Sequence, residues 1–269
     1  MPTLVLSTMS LPASSALAEA ALSLKWQVLV FDQNPSSKPN GTVTFYGGTD
    51  LALAVASVAS RFRLALLEPP CDLLAKLPLE FKLRTVEYAR FGDLGRLKAP
   101  TFVKPADALK KSFDAGIYSN ALDIRGPKGI DATSPVLLSE PVEWSAEYRC
   151  FIDDGEIAAW SPYISFGRPA WKPFGKGTLA SETPGNLKSF CKRLFSRSGL
   201  LFPPAFVMDI GLIDDRGWGV VEFNPVWCSG VLGADPRKVL AVLQRACHDA
   251  QSVSVADECW VVERHEQVA

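Results

Sequence analysis

The sequence predicts an α/β domain followed by an α+β region built on antiparallel sheets. Three observations carry this. Over the first hundred residues short apolar runs alternate with helical stretches. Beyond them the apolar runs lengthen and pair across acidic, glycine-containing turns. Proline and glycine are scattered with no repeat or low-complexity tract, so structured loops are expected. The chain has 269 residues, 48% of them hydrophobic, enough for one large core or two modest ones. We expect residues 1–100 to form the first domain and 101–269 the second, joined near Lys98-Ala99-Pro100.

In order along the chain, residues 3–7 read as a buried strand, 14–24 as a helix and 26–31 as a second strand. Residues 42–46 read as a third strand, closed by Gly47-Gly48. A helix capped by Thr49 or Asp50 follows to about Arg61, and 63–67 is a further strand. The Gly47-Gly48 turn could cradle a phosphate on unpaired helix N–H groups, or be a plain strand-to-helix turn. It matches neither the dinucleotide fingerprint nor a P-loop. In the second region 101–105, 136–138, 147–152, 156–163, 205–213 and 219–223 read as strands. Asp153-Asp154-Gly155 and Asp214-Asp215-Arg216-Gly217 are hairpin turns. Residues 186–196 and 235–250 read as helices, the latter with Asp235 as N-cap and Pro236 in the first turn. The segment 168–185, rich in proline and glycine, reads as a mobile loop carrying Arg168, Lys172 and Lys176.

Composition narrows the function. The formal net charge of -1 splits into about +2 over residues 1–100 and about -3 over the rest, neither a strong single-sign field, and no Lys/Arg stripe interleaves with aromatics, which argues against nucleic-acid binding. The six cysteines stand apart with no C-x-x-C pair, and the chain has two histidines, which argues against a structural zinc site. Reduced, buried thiols suit a cytoplasmic protein. The Ala- and Leu-rich stretch 11–24 is like a signal-peptide core, but no basic segment precedes it and no clear cleavage site follows. No run approaches the roughly 18 apolar residues that span a bilayer. His248 and His265 lie far from every motif and read as non-catalytic.

The strongest chemical signal is a pair of acidic strands. In 206–211 and 219–225 a carboxylate, Asp209 or Glu222, interrupts an apolar run, and a buried carboxylate needs compensation. Glu222 and Asn224 are two apart and share a strand face. If Asp209 lies on the neighbouring antiparallel strand, three hard oxygen ligands converge on a Mg²⁺ site. The alternative is that Asp209 or Glu222 pairs with a buried arginine or caps a turn. Upstream, 138–142 could serve as an extended hinge whose backbone reads an adenine edge. Glu147 and Arg149 alternate on one face, a carboxylate suited to ribose hydroxyls beside a cation suited to a transferring phosphate, or else a surface ion pair. Lys104 ends its strand as a point charge for phosphates, with Lys110 and Lys111 as a second, although isolated lysines are commonly solvated surface.

The order of these parts resembles the ATP-grasp superfamily, over roughly residues 100–235. Phe-Val-Lys-Pro, Glu-Tyr-Arg-Cys-Phe and Val-Glu-Phe-Asn-Pro look most like a branch of small bacterial and phage ATP-grasp proteins. The preceding α/β domain resembles a pre-ATP-grasp domain. The resemblance implies that Lys104 and Lys111 (or Lys110) bind phosphates and that Glu140 and Val142 meet adenine. It implies Glu147 on ribose, Arg149 at the reacting phosphate, and Asp209, Glu222 and Asn224 on Mg²⁺. It further implies an ATP- and Mg²⁺-dependent ligase that activates a carboxylate as an acyl-phosphate and joins it to an amine. The substrate would be a small molecule, an amino acid or a peptide, and a homodimer is expected. Two departures stand out: Arg125-Gly126-Pro127-Lys128-Gly129 replaces a recognisable glycine-rich phosphate loop, and the chain is short. A phosphotransferase on the same scaffold, or a catalytically silent nucleotide-binding module, would share the nucleotide residues.

Overall fold

The computed structural model describes residues 1–7, 11–31, 39, 41–47, 58–95, 97, 99–107, 112–126, 129–172 and 184–261. The chain opens with strand β1 (Thr3–Leu6), helix α1 (Pro12–Ser23), strand β2 (Gln27–Val30) and strand β3 (Val43–Tyr46). These strands form a parallel sheet in the order β2-β1-β3. β1 and β3 are buried at every position, as strands covered on both faces must be, and they read accordingly as unbroken apolar runs. Proline at the first position of α1 costs nothing, because an N–H there has no partner within the helix.

The next strand, β4 (Leu64–Leu66), does not extend the parallel sheet. It pairs antiparallel with β14 (Cys247–Asp249), which changes the expected helix over 235–250. That helix runs only over Pro236–Arg245, with Asp235 accepting from the Arg237 N–H as its N-cap. Cys247 and its neighbours satisfy their backbone on β4 instead, so His248 stands on a strand. The expected helix start at Thr49 or Asp50 lies outside the described residues, as do Gly48 and His265.

Two antiparallel sheets follow. β5 (Val86–Arg90), β6 (Thr101–Pro105), β7 (Gly116–Tyr118) and β8 (Pro135–Ser139) form a sheet ordered β5-β8-β6-β7. β9 (Trp144–Asp153), β10 (Glu156–Ser165), β11 (Arg168–Pro169), β12 (Ala205–Ile213) and β13 (Gly217–Asn224) form the larger, ordered β11-β10-β9-β12-β13. Asp154 at φ 45° and Gly155 at φ 82° close the β9–β10 hairpin, a left-handed pair that Asp-Gly adopts readily. Of the predicted loop over 168–185, β11 occupies the start and the helix Gly185–Arg197 begins at its end. Residues 173–183, with Lys176, lie outside the described residues.

The two faces of the larger sheet differ. On one, Cys150, Ile152, Phe206, Met208 and Ile210 pack under Leu187, Phe190, Cys191 and Leu194 of the helix Gly185–Arg197. Those four helix residues recur at helical spacing and form its apolar stripe. On the other, Phe151 and Val207 join the core shared with the parallel sheet and with Val239, Leu240, Val242 and Leu243. One step further along that same face the side chains become charged. No disulfide joins any of the six cysteines, all of which lie among the described residues.

Candidate active site

Strand register builds the charged row. Arg149 on β9 lies opposite Asp209 on β12, and Asp209 lies opposite Glu222 on β13. Three adjacent strands thus present a cation and two carboxylates side by side on one face. Asp209 has no exposed surface, and it takes the Arg149 guanidinium in a fork: Nε to Oδ1 at 2.9 Å and Nη2 to Oδ2 at 2.7 Å. This bidentate geometry is the strong form of a carboxylate–guanidinium pair. The guanidinium carbon also sits 4.7 Å from the centre of the Tyr163 ring, and Nη1 donates to the Gly230 carbonyl at 3.4 Å. Arg149 is therefore fixed on its edge and on its face.

Glu222 is held differently. One carboxylate oxygen accepts from Lys104 Nζ, which arrives from β6 on the other sheet. The second oxygen accepts from Asn224 Nδ2 at 2.9 Å and lies 3.8 Å from Arg149 Nη2. The Glu222 side chain keeps about a quarter of its surface exposed, against none for Asp209.

A β-bulge helps to aim this row. The β12–β13 register slips between Asp209/Glu222 and Ile210/Val220, leaving Val221 as the extra residue. Arg84 donates to the carbonyls of Val220 at 2.8 Å and Val221 at 3.0 Å, and to that of Lys82 at 3.0 Å, while its guanidinium stacks 4.9 Å from the Trp144 ring. A buried arginine thus clamps the bulge from which Glu222 projects. Gly211, two residues beyond Asp209, has no room for a side chain, since a Cβ there would stand 2.3 Å from Trp144.

The charges shift one another. Burial pushes Asp209 up to about 6, against the pull of Arg149. Burial also opposes ionisation of Glu222, but Lys104 and Arg149 outweigh it and hold that carboxyl below the usual range. At Arg149 burial is likewise outweighed, by Asp209 and Glu222, and the guanidinium stays firmly charged. Burial, reinforced by the Asp209 and Glu222 charges, raises Glu147 to about 7. Arg84 falls to about 10 through burial, with Glu147, Glu222 and Glu140 resisting.

A cavity of about 440 Å³ opens over this row. Lys104, Arg149, Tyr163, Glu222 and Asn224 line it, together with residues 68–71 and 228–230. A second, wider groove of about 860 Å³ runs along 141–145, with Val142, Glu147 and Phe166 in its walls. Beside it, Glu140 pairs with Arg216 at 2.8 Å, and its N–H donates to the Thr85 carbonyl at 3.1 Å. Of the residues singled out in the sequence, Lys104, Arg149, Asp209, Glu222 and Asn224 come together in one network, and Val142 and Glu147 share the adjoining groove. Lys110 and Lys111 lie outside the described residues. Arg84 and Tyr163 join the site without any local signal in the sequence.

The donor set can be tested against a metal. Among the described residues no three His, Cys, Asp or Glu side chains form a ready cage. Mg²⁺ asks for less, one or two carboxylates with water and substrate phosphates completing its shell. Glu222 and Asn224 offer hard oxygen atoms at the cavity wall. Both Asp209 oxygens accept from Arg149, but a carboxylate has about four lone-pair positions, and the fork leaves the others. The residues fit the ion.

Two antiparallel sheets meet over a cavity lined by a lysine, an arginine and carboxylates, a charge arrangement suited to a phosphate-bearing ligand. More particularly, the chain belongs to the ATP-grasp family, since a family described as an ATP-grasp domain, the second family of its clade, matches residues 81–242. In fold it is similar to a RimK domain ATP-grasp protein from Sphaerobacter thermophilus DSM 20745, with 14% identity over 91% of this chain and 98% of that one and a TM-score of 0.51. It is also similar to the D-cycloserine synthetase DcsG, with 16% identity over 90% of this chain and 98% of that one and a TM-score of 0.56. No curated protein sequence matches the chain. No helix among the described residues is long and apolar enough to cross a membrane.

Proposed function

We propose that this protein is an ATP- and Mg²⁺-dependent ligase that activates a carboxylate as an acyl-phosphate and joins it to an amine. The observation that carries the reading is the row Arg149–Asp209–Glu222 with Lys104 closing on it from the facing sheet. Such a row suits phosphoryl transfer, in which positioning and electrostatics do most of the work. The triphosphate lies along Lys104, with Lys110 or Lys111 as the second cation. The adenine lies at the hinge by Glu140 and Val142, and the ribose meets Glu147. Glu222, Asn224 and Asp209 would hold Mg²⁺, which would supply charge neutralisation to the phosphate oxygens.

The chemistry balances without a nucleophilic side chain. A substrate carboxylate oxygen forms a bond to the γ-phosphorus as the bond to the β–γ bridging oxygen breaks, releasing ADP. The amine nitrogen then bonds to the carbonyl carbon, phosphate leaves, and the amine gives up a proton. Arg149 faces the transferring group with a charge that Asp209 and Tyr163 hold in one orientation. The carboxylate and amine belong to a small molecule, an amino acid or a peptide, and residues 1–100 act as the pre-ATP-grasp domain that helps to seat them.

The test is the thermal midpoint with and without a non-hydrolysable ATP analogue and Mg²⁺, because a ligand that binds the native state raises its stability. A metal-dependent rise in the wild type that disappears in Glu222→Ala supports the reading and directs a screen of carboxylate and amine pairs for ADP release. No rise at millimolar nucleotide overturns it.

A further inference from the structure

We infer that Lys104 and the divalent cation compete for one oxygen of Glu222, so that metal enters this site with the nucleotide rather than ahead of it. The inference rests on the nucleotide-and-metal reading above and adds an order of events to it.

The charges in the row already balance. Asp209 and Glu222 are answered by Arg149 and Lys104, and each carboxylate oxygen has its own donor. A divalent ion approaching by itself meets two cations within reach of its ligands and finds both carboxylates of the row already paired. It must also displace Lys104 from Glu222 to gain an oxygen. A nucleotide changes both conditions, since its phosphates bring negative charge and offer the ammonium a new partner.

The two cations are not equally able to move. Arg149 is forked onto Asp209, stacked on Tyr163 and bonded to the Gly230 carbonyl, and it belongs to the same sheet as both carboxylates. Lys104 reaches Glu222 from the other sheet, where its backbone pairs with Leu137 on β8. Its flexible stem and compact charge let the ammonium swing without disturbing either sheet. Glu222 keeps its anchor to Asn224 as the lysine departs. Lys104 is thus an exchangeable stand-in for the metal, and Arg149 is a permanent one.

The experiment titrates Mn²⁺ alone, followed by the electron paramagnetic resonance signal of the free ion, into wild type, Lys104→Met, Lys104→Gln, Lys104→Arg and the double variant Lys104→Met/Glu222→Gln. Expected is weak binding to wild type and to Lys104→Arg. Binding should be about tenfold or more tighter to Lys104→Met and Lys104→Gln, a factor within the usual range of site-to-site coupling, and lost in the double variant. Two neutral replacements guard against one of them failing to fold. Equal Mn²⁺ affinity in wild type and in both neutral variants, while wild type with a non-hydrolysable ATP analogue removes more free Mn²⁺ signal than protein alone and analogue alone together account for, overturns the competition and leaves the nucleotide reading intact. Absence of Mn²⁺ binding to wild type even with the analogue overturns both.

Discussion

Two ion pairs stand side by side in this site, and they are built on different terms. Arg149–Asp209 lies within one sheet, fully desolvated on the carboxylate side and fixed by the register of β9 against β12. Lys104–Glu222 joins two sheets, at a cavity wall where both side chains keep a fifth or more of their surface. The first pair is part of the fold, because losing either partner strands a charge in a low-dielectric interior. The second depends on how the sheets face each other, and water can replace either partner. The difference teaches how a site can be rigid where it orients a reacting group and exchangeable where ligands come and go.

The sharpest way to break this comparison is Asp209→Ala. It leaves Arg149 buried beside Tyr163 with only Glu222, 3.8 Å away and shared with Lys104, to answer its charge, and breaking a buried pair in this way costs about 3–5 kcal/mol. Urea denaturation of the variant should show that loss. A cost as small as that of removing Lys104 would mean that the inner pair is solvated and that the distinction between the pairs is wrong.

The next effect concerns a third carboxylate on the same face. Glu147 titrates near 7 in the folded protein, against an ordinary value of 4.5, because burial and its acidic neighbours penalise its charge. The folded state therefore holds the proton more tightly than the unfolded chain does. The stabilisation that proton gives is complete below pH 4.5 and is lost as pH rises toward 7. At the edge of an open groove this should amount to about 1–2 kcal/mol. Stability curves at pH 5 and pH 7.5 should differ by that much more in wild type than in Glu147→Gln, whose side chain carries no charge at either pH. Glu222, held below the usual range by Lys104 and Arg149, has the opposite sign and loses its contribution in acid, so the comparison is made between the two proteins and not within one.

Much of the site is legible in the sequence because its parts repeat at short spacing. Glu222 and Asn224 two apart on an apolar strand, and Glu147 and Arg149 two apart on another, announce one face each. The strand 205–213 is legible from its unbroken apolar run, apart from Asp209 and Gly211. What stays hidden depends on partners far away in the chain. Arg84 clamps carbonyls 136 and 137 residues downstream, and nothing local in Leu-Arg-Thr marks it. β5 escapes because it is an edge strand with one buried residue, Val86, so no alternation survives. Cys247–Asp249 reads as helix because the stripe of the preceding helix runs into it, whereas its strand partner, Leu64–Leu66, lies about two thirds of the chain upstream. In the sequence, Asp209 paired with a buried arginine and Asp209 facing a metal stand as alternatives. The structure shows the arginine pairing, with Asp209 fully buried and Glu222 and Asn224 at the cavity wall.

The smallest effect, and the one that sharpens the comparison most, is Lys104→Met. Removing the ammonium leaves Glu222 with Asn224 at 2.9 Å and the Arg149 guanidinium at 3.8 Å, and the carboxylate can still draw on water from the cavity. A partly solvated pair of this kind contributes about 1 kcal/mol or less, so the urea midpoint should move little. If Lys104→Met is instead as damaging as Asp209→Ala, the bridging pair is holding the two sheets together. Glu222 would then be unable to exchange its lysine for a metal without loosening the clamp, and the division between a fixed pair and an exchangeable one would fail. A small loss means that the sheets are held by their apolar contacts and that Lys104 can leave Glu222 at little cost to the fold.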